Sequence, residues 1–568
     1  MLNIEQMIQQ QVPQLEHRPL LKRFTTKVLR HLLHEKDFIH FSEQYPHLQG
    51  LDFVEQVLDY FQFQTTVREQ ELERIPADGR VVIIANHPIG SLDGLALIKL
   101  ISEIRPDVKV IANQMLMALP PLHSMLLPVD AMQGKTRRQS LEQIHRHLNQ
   151  DGALIIFPAG EVSRLKPNGI RDGQWHPGFL RFATQAKAPV LPVHLNGRNS
   201  WQFYCASMLY KPLATLLLVK EMFKQRQKHL AIRIGEQIPY DSFCSLALEP
   251  QARVKLFKKH LYRLGCNKAP LFKTQSGIAL PEDRKQLKQA IEQCELLGQT
   301  TDGKHIYLFQ QQGSSPIMRE LGRLREIAFR AVGEGSGARR DIDRFDAYYQ
   351  HLILWDSEQL DIVGSYRFAS SAAVIAQQGQ QALYCDALFN FAPAMQPFLH
   401  AGLELGRSFI QPKYWGKRSL DYLWYGIGAY LKRHPEIRYL YGAVSLSNSY
   451  PKAARDLMVY FYQLYFRYPE TLATSYRPYL LPDIQQHELQ QQFIGNNYQA
   501  DFTYLKHLLA NMGLSIPTLY KQYSELCEPG GAHFLAFGTD PDFGDCIDGL
   551  VLIDIEKIKP LKKQRYIG

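Results

Sequence analysis

Short apolar runs alternate with longer helical patterns between residues 80 and 200. The runs are rich in Val and Ile, and they comprise VVIIA at 81–85, VKVIA at 108–112, ALIIF at 153–157 and PVLPV at 189–193. Apolar runs of this length, separated by helical segments, are typical of strands in an α/β sheet with crossover helices. A further strand is predicted at 231–238 and a closing helix at 250–265. Residues 76–265 are therefore predicted to form one α/β domain.

Residues 1–75 show a helical pattern instead. In their clearest stretch, apolar residues recur at three- and four-residue steps with Lys and Arg between them, namely Leu20, Leu21, Phe24, Val28, Leu29 and Leu32. This spacing predicts amphipathic helices. Two interpretations stay open: a packed cap over the α/β domain, and a segment that lies on an anionic membrane surface.

The second half of the chain predicts a second domain. Residues 266–284 lose the periodicity and contain prolines, so we place a linker there. Residues 285–568 mix helical patterns with strand patterns such as HIYLF, LDIVGSYRF and LVLIDI, which indicates an α+β domain. No period of 20–50 residues recurs, which excludes solenoids and propellers.

The charge balance narrows the class of partner. The chain has 568 residues, and its 65 Lys and Arg against 55 Asp and Glu give a net charge of +10. Such a balance favours anionic partners: nucleic acid, phospholipid surfaces or acidic carrier proteins. Because the sequence has no Walker loop, zinc-ligand spacing, recognition helix or RNP-like aromatic block, we expect no nucleic-acid partner.

Cysteine usage and hydropathy exclude further classes. The seven cysteines include no CxxC pair, so we predict neither a disulfide framework nor a metal site, and a reducing cytoplasm fits best. The first residues, MLNIEQMIQQQVPQ, lack the basic and apolar regions of a secretory signal. No stretch of about 18 apolar residues occurs, so we expect no membrane-spanning helix.

A histidine and an aspartate follow the strand VVIIA, in the segment Asn86-His87-Pro88-Ile89-Gly90-Ser91-Leu92-Asp93-Gly94. The exit of a strand is where α/β proteins build active sites. Asp93, at the start of the next helix, can turn back to hold one imidazole nitrogen while the other takes a proton from a hydroxyl. Gly90 supplies the flexibility that such a tight return needs. The alternative is an ordinary loop histidine followed by a helix cap.

A second glycine-bearing loop follows the strand ALIIF. It reads Pro158-Ala159-Gly160-Glu161-Val162-Ser163-Arg164, and APVLPV follows at 188–193. The guanidinium of Arg164 is suited to bind a phosphate or another anion.

These blocks, NHPxGxLD, FPAGExSR and APVLPV in that order, resemble the glycerolipid acyltransferase family over about residues 65–240. The resemblance implies that His87 is the general base, that Asp93 is its partner, and that acceptor or head-group contacts come from Asn86, Gly90, Gly160, Glu161, Ser163 and Arg164. The His-to-Asp spacing is one residue longer than usual, and FPAGEVSR replaces the usual FPEGTRS. Both departures look like the branch of the family that acylates lysolipids other than lysophosphatidate.

Four further motifs lie in the second half: Arg325-x3-Phe329, Asp343-x2-Asp346, Gly-x-Tyr-Arg367 and Glu404-x2-Arg407. Together they resemble acyl-homoserine-lactone synthases and related GNAT-like enzymes that N-acylate ornithine, over about residues 285–558. The resemblance implies that Glu404, alone or through water, helps deprotonate the attacking amine. It also implies that Asp343 and Asp346 hold a cationic amino-acid head group, while the arginines support the fold and the phosphopantetheine arm of an acyl carrier protein.

The whole chain resembles bifunctional ornithine-lipid synthases, a family of bacterial aminolipid enzymes. We expect a C-terminal GNAT-like domain that N-acylates ornithine with a 3-hydroxyacyl chain, and an N-terminal αβ domain that O-acylates the new hydroxyl. The donor is expected to be acyl-acyl-carrier-protein or acyl-CoA, with no bound cofactor. Because the products are amphiphiles, we expect peripheral binding at the cytoplasmic face of the bacterial inner membrane. Glutamine, glycine or lysine stay open as the amino acid.

Two rival hypotheses stay open. The first is a lysophosphatidate-type acyltransferase fused to an N-acetyltransferase-like domain of unrelated purpose. The second is a non-catalytic protein that binds a membrane or nucleic acid, which the basic sequence permits.

Overall fold

The computed structural model describes residues 30, 34–112, 117, 119–128, 135–209 and 211–568. The chain divides into two compact units, Met1–Ala279 and Leu280–Gly568, each with helices and strands. The prediction of two domains of mixed helix and strand is confirmed. The pattern predicted around residues 20–32 lies largely outside the described residues.

The first unit carries nine strands and ten helices within the described residues. Its strands are β1 (Gln64–Thr66), β2 (Val81–Ala85), β3 (Lys109–Ala112), β4 (Leu126–Pro128), β5 (Ala153–Ile156), β6 (Arg164–Lys166), β7 (Gly169–Arg171), β8 (Val190–Asn196) and β9 (His229–Ile234). Its helices are α1 (Glu35–Gln44), α2 (Gly50–Tyr60), α3 (Glu69–Leu72), α4 (Leu92–Ser102), α5 (Lys135–Asn149), α6 (Gly178–Gln185), α7 (Trp201–Leu209), α8 (Lys211–Phe223), α9 (Tyr240–Cys244) and α10 (Pro250–Gly265).

Seven of these strands form one sheet in the order β1-β9-β8-β2-β5-β3-β4. Every pair in it is parallel except β8 with β9. The strand β2 lies at the centre and is buried along its whole length, because separate apolar clusters cover its two faces. Since β2 and β5 are parallel neighbours, the loops that follow them emerge side by side at one edge of the sheet.

The predicted linker packs against the first unit over part of its length. Phe272 is buried and lies 4.5 Å from the ring of Phe257 on α10. Gln275 exchanges backbone hydrogen bonds with Gln237. The division between the units, after Ala279, falls inside the segment 266–284.

The second unit carries ten strands and ten helices. Its strands are β10 (Glu295–Gln299), β11 (His305–Gln310), β12 (Gln350–Asp356), β13 (Asp361–Ser370), β14 (Phe389–Phe391), β15 (Gly402–Ile410), β16 (Tyr439–Leu446), β17 (Ala473–Ser475), β18 (Ala532–Asp540) and β19 (Cys546–Asp554). Its helices are α11 (Arg284–Glu292), α12 (Pro316–Ala331), α13 (Ser371–Gln378), α14 (Gln396–His400), α15 (Ser419–Arg433), α16 (Lys452–Phe466), α17 (Asp483–Gln492), α18 (Tyr498–Asn511), α19 (Thr518–Leu526) and α20 (Pro560–Tyr566).

Eight strands of the second unit form a sheet in the order β10-β11-β12-β13-β15-β16-β19-β18. Neighbours are antiparallel except β15 and β16, which are parallel and pair only over Gly402–Glu404 with Tyr439–Tyr441. Beyond these three pairs the two strands no longer form a ladder. Gly442 follows the last pair, and a Cβ there would lie 2.0 Å from the carbonyl oxygen of Leu405. The ladder therefore opens next to a residue that has no room for a side chain.

No helix in the described part of the chain has both the length and the apolar character that a membrane span requires.

Candidate active sites

In the first unit, the loop between β2 and α4 brings His87 and Asp93 together. His87 Nδ1 lies 3.1 Å from Asp93 Oδ2, and the imidazole packs 4.4 Å from the ring of Phe157, which follows β5. The His87 side chain keeps 21% of its surface exposed. Its Nε2 makes no hydrogen bond to any described residue, so this nitrogen is free to accept the proton of a substrate hydroxyl.

Asp93 is fully buried and is held by the turn that precedes it. Its carboxylate accepts hydrogen bonds from the backbone N–H groups of Ile89 at 2.8 Å, Gly90 at 3.1 Å, Ser91 at 3.0 Å and Gly94 at 3.0 Å. Gly90 has φ of +89°, a conformation that favours glycine. The loop thus fixes the carboxylate before the histidine contacts it.

The contact between His87 and Asp93 shifts the pKa of both side chains. Burial acts to lower the pKa of His87, but the Asp93 carboxylate outweighs it, so the pKa lies above its ordinary value. Burial acts to raise the pKa of Asp93, but His87 and the backbone donors outweigh it, so this pKa lies below its ordinary value. The ionised Asp93 carboxylate keeps the imidazole proton on Nδ1 of His87. The other ring nitrogen, Nε2, is then the one that can accept a proton.

The loop after β5 is bound to the His87 loop. The backbone N–H of Ser163 donates to the carbonyl of His87 at 2.7 Å, and its hydroxyl donates to Asp172 Oδ1 at 2.5 Å. Asp172 is fully buried and also accepts from the backbone N–H of His87 at 3.3 Å and from Trp175 Nε1 at 2.8 Å. Asp172 therefore joins the two loops. None of the sequence motifs includes Asp172, although it stands nine residues after Ser163, in the segment GIRDGQW.

Gly160, Glu161 and Arg164 form the outer part of this loop. Gly160 is exposed and has φ of +62°, while Arg164 Nε lies 3.5 Å from Glu161 Oε2. The Nε and Nη1 atoms of Arg164 are buried and make no hydrogen bond among the described residues. A guanidinium in this state can accept an anionic group of a substrate.

Asn86, predicted as a contact to the acceptor or head group, binds another strand of its own sheet. Its side chain is 3% exposed, donates to the carbonyl of Leu195 at 2.8 Å and accepts from the N–H of the same residue at 2.8 Å. Because both ends of the amide bind the end of β8, Asn86 joins β8 to the segment that follows β2.

In the second unit, a cavity of about 660 Å³ lies where β15 and β16 no longer pair. It is lined by Leu405–Ile410 of β15 and Ala443–Ser445 of β16. Its apolar lining includes Phe329, Val332, Phe543 and Leu519, and its polar lining includes Arg407, Tyr384, Glu334 and Asp548. Within the described residues, no three His, Cys, Asp or Glu side chains lie close enough together to hold a metal ion.

Five of the predicted residues form an ion-pair network, namely Arg325, Asp343, Asp346, Arg367 and Arg407. Arg325 Nη1 donates to Asp346 at 2.8 Å, and Arg367 Nη1 donates to Asp346 at 3.0 Å and to Asp343 at 2.5 Å. Burial acts to raise the pKa of Asp346, but the two arginines outweigh it, so the pKa lies far below its ordinary value.

Asp346, predicted to hold a cationic head group, is occupied within this network. Its side chain is 1% exposed, and its second oxygen accepts from the backbone N–H of Asp343 at 2.8 Å. A substrate ammonium group cannot reach it without displacing these donors. Asp343 is 23% exposed but is occupied by Arg367 and by Arg407, whose Nη2 lies 3.3 Å away.

Glu404, which the resemblance assigns to deprotonation of the amine, alone or through water, is buried among protein groups. It is 1% exposed and does not line the cavity. Its carboxylate accepts a short hydrogen bond from the Tyr349 hydroxyl, and bonds from the backbone N–H groups of Tyr384 at 3.2 Å and Cys385 at 2.6 Å. Glu404 is thus a positioning residue that fixes the segment carrying Tyr384 into the cavity wall.

Arg407 and Phe329 lie in the cavity wall itself. Arg407 adopts φ of +48°, its guanidinium lies 4.7 Å from the ring of Phe543, and its Nε makes no hydrogen bond among the described residues. Phe329 packs edge-on against the same ring at 4.9 Å. Arg407 is therefore the predicted arginine that a substrate in this cavity can contact.

Comparisons with known proteins agree with this division into two sites. A family model described as Acyltransferase matches residues 7–267, and one described as Acetyltransferase (GNAT) domain matches residues 324–425. A glycine N(alpha)-acyltransferase of Bacteroides thetaiotaomicron is 32% identical over 305 residues, which is 51% of this chain and 89% of that protein. A lyso-glycine lipid O-acyltransferase of the same organism is 31% identical over 230 residues, 39% of this chain and 84% of that protein. The chain belongs to the aminolipid acyltransferase family.

This acyltransferase therefore unites an N-acyltransferase and a lysolipid O-acyltransferase in one chain. An L-ornithine N(alpha)-acyltransferase of Brucella abortus is also similar, at 31% identity over 178 residues, 26% of this chain and 61% of that protein. The GNAT match begins within α12 and ends within α15, so it includes Glu404 and the start of the β15–β16 opening.

The positioning role of Glu404 predicts the behaviour of two variants. Glu404→Gln retains an acceptor for the Cys385 N–H, so we expect N-acylation to fall no more than about tenfold, with an unchanged pH profile. Glu404→Ala leaves buried N–H groups without partners and should lower the stability by about 1–3 kcal/mol. Thiol release from an acyl thioester, together with melting temperature, measures both effects.

A catalytic base would behave differently. If Glu404 took the proton of the amine, Gln and Ala would each lower the rate by about 10²–10⁴-fold. A loss of that size in Glu404→Gln at an unchanged melting temperature would contradict the positioning role.

Proposed function

We propose that this protein makes ornithine lipid in two steps. The second unit transfers a 3-hydroxyacyl chain from a thioester to the α-amino group of ornithine, and the first unit then esterifies the hydroxyl of that chain. The first acyl chain brings the hydroxyl that the second reaction needs, so the order follows from the chemistry. Fusion of the two steps gives the mono-acylated intermediate a high effective concentration.

The observation that carries the O-acylation step is the His87–Asp93 pair. An alcohol attacks a thioester only when a base removes its proton, and Nε2 of a tautomer held by a carboxylate is such a base. Arg164, whose Nε and Nη1 atoms make no hydrogen bond among the described residues and whose Nε lies 3.5 Å from Glu161 Oε2, is suited to the carboxylate of an N-acyl amino acid as well as to a phosphate. A lysolipid that carries a carboxylate and no phosphate is therefore compatible with Arg164.

Ornithine is supported by the similarity to the Brucella abortus enzyme, and glycine is a second candidate. The glycine enzyme of Bacteroides thetaiotaomicron matches over 305 residues, whereas the ornithine enzyme matches over 178. Both amino acids present an α-ammonium and an α-carboxylate. A direct comparison of the two as substrates decides between them.

Acyl carrier protein is the proposed donor for the N-acylation step. Exposed basic residues, Lys413, Lys417 and Arg418, flank Trp415 at the rim of the cavity. Carrier proteins of this kind are acidic, and complementary charge speeds and orients such encounters. Acyl-CoA is the alternative donor, and a comparison of the two thioesters distinguishes them.

We further propose that the first unit works on a membrane surface, at the cytoplasmic face of the bacterial inner membrane. Asn199, just before α7, donates to the carbonyl of Ile89 at 3.0 Å, which joins this helix to the His87 loop. On α7, Trp201 is 71% exposed and Met208 is 65% exposed. Exposed apolar side chains next to a site for amphiphiles suit a lipid surface.

The first test replaces the base. Full-length His87→Ala, given ornithine, a 3-hydroxyacyl thioester and a second acyl thioester, should accumulate the mono-acylated amino acid. We expect the rate of diacyl lipid formation to fall by at least about 10³-fold, because base catalysis of the second step is lost. Lipid mass spectrometry over time measures both products.

His123→Ala is the matched control, since His123 is exposed and belongs to the same unit. It should behave as the wild type. Normal diacyl lipid from His87→Ala would contradict the assigned base. A wild type that prefers lysophosphatidate to N-(3-hydroxyacyl)ornithine as acceptor would instead favour the glycerophospholipid hypothesis.

The second test concerns the membrane surface. Trp201→Glu should reduce the fraction of protein bound to vesicles of anionic phospholipid by at least about tenfold, because a charge replaces an inserted aromatic ring. Leu248→Glu is the control, since Leu248 is an exposed apolar residue of the same unit at 43% exposure. Co-sedimentation measures binding, and equal binding of both variants and the wild type would refute this surface.

A further inference from the structure

Two carboxyl groups that no sequence motif includes line the cavity of the second unit. Glu334 follows α12, and Asp548 lies on β19. Asp548 pairs with Ser445 of β16, and the hydroxyl of Ser445 donates to Glu334 Oε2 at 2.9 Å. One serine thus connects the two acids, at the edge where β16 no longer pairs with β15.

Both carboxyl groups are removed from water but lack a cation. Glu334 is 7% exposed and Asp548 is 5% exposed. Neither forms an ion pair with Lys or Arg among the described residues. The Asp548 carboxyl has one hydrogen-bond partner there, the thiol of Cys546 at 3.7 Å, which is a weak donor. A side chain that is more than nine-tenths buried, lines a cavity and has no strong donor is suited to receive one from a ligand.

The acidity of the two groups agrees with their surroundings. Burial raises the pKa of Glu334 to about 7. Burial, followed by the nearby Asp540 and Glu334, raises the pKa of Asp548 to about 8. The titratable and charged groups that face Asp548 are Asp540, Glu334, Cys546, Arg407, Tyr384, Cys385 and Tyr520. Arg407 is the one cation among these groups, and it is occupied by Asp341 and Asp343.

We propose that Glu334 and Asp548 bind the ammonium group of the amino acid and that Asp548 takes the proton that this group must lose before it attacks the thioester. This assignment rests on the N-acylation step of the proposed function. It holds for glycine and ornithine alike, because both carry the reacting α-ammonium.

The step balances in atoms and charge. The bound ammonium favours the ionised form of Asp548, whose own proton goes to water as the amino acid binds. The ammonium then passes one proton to this carboxylate, and the nitrogen lone pair attacks the thioester carbonyl, so that a C–N bond forms. The C–S bond breaks, and the leaving thiolate takes the second proton from nitrogen as the amide forms. Asp548 then releases its proton to water, which leaves an N-acyl amino acid, a free thiol and one proton.

The test uses the full-length protein, a 3-hydroxyacyl thioester, and glycine or ornithine. Asp548→Asn should lower kcat/KM for the amino acid by about 10²–10⁴-fold near pH 7. The loss should shrink as the pH rises, because the free amino group then loses its proton without a base. Glu334→Gln should mainly raise KM for the amino acid, by about tenfold. Thiol release and mass spectrometry of the product measure the rates.

The matched control is Asp545→Asn, which removes the same charge from an exposed position three residues away. Asp545 has φ of +55°, which asparagine tolerates. This variant should equal the wild type. If Asp548→Asn and Asp545→Asn have the same kcat/KM while the wild type acylates either amino acid, the assignment of the amine site is wrong but the proposed function stands. If the wild type acylates neither, the proposed function is overturned and the amine site with it.

Stability gives a readout that does not depend on activity. A buried acid with a raised pKa stabilises the fold while it is protonated, and this contribution is lost as the pH rises from the unfolded pKa, about 4, through the folded pKa. The folded pKa of Asp548 is about 8. The melting temperature of the wild type should therefore fall more between pH 5 and pH 8 than that of Asp548→Asn. Equal losses, together with a pH-independent loss of activity, would mean that Asp548 has only a structural role and would overturn the proposal.

Discussion

Each carboxylate that this fold removes from water must receive hydrogen bonds or a cation, because an unpaired buried charge costs several kcal/mol. Asp93 is held by His87 and by backbone N–H groups, and Asp346 is held by two arginines. These satisfied groups keep loops and strands in place around the sites. Glu334 and Asp548 differ, since their surroundings supply no free cation among the described residues. Asp93 and Asp346 therefore hold the structure around the reacting groups, whereas Glu334 and Asp548 are available to bind the substrate.

In the first unit, the sequence predicts most of what positions the site. The run VVIIA coincides with β2 at Val81–Ala85, and ALIIF begins where β5 begins, because buried parallel strands need uninterrupted apolar residues. A motif names residue types but not the atoms that they bind. Asn86 therefore looked like a substrate contact, although its amide joins two strands. No motif includes Asp172, because its partners become neighbours only when the two loops fold together.

In the second unit, the motifs predict the ion-pair network but not the cavity. Of the acids in those motifs, Asp346 is neutralised by two arginines, whereas Glu404 is held by the Tyr349 hydroxyl and by backbone N–H groups. The acids that line the cavity come from a turn after α12 and from the last strand, two segments far apart in the sequence. The feature of the sequence that points to these acids is Asp548, an acidic residue inside the largely apolar strand CIDGLVLID. The residues on both sides of it are buried.

The central claim is that the hydroxyl introduced by the first acyl transfer is the acceptor of the second. The most direct measurement gives the full-length enzyme an amino acid, a second acyl thioester and one of two first donors of equal length, one with a 3-hydroxyl and one without. We expect a diacylated lipid from the hydroxylated donor and only the mono-acylated amino acid from the other. A diacylated lipid from the donor that lacks the hydroxyl would contradict it.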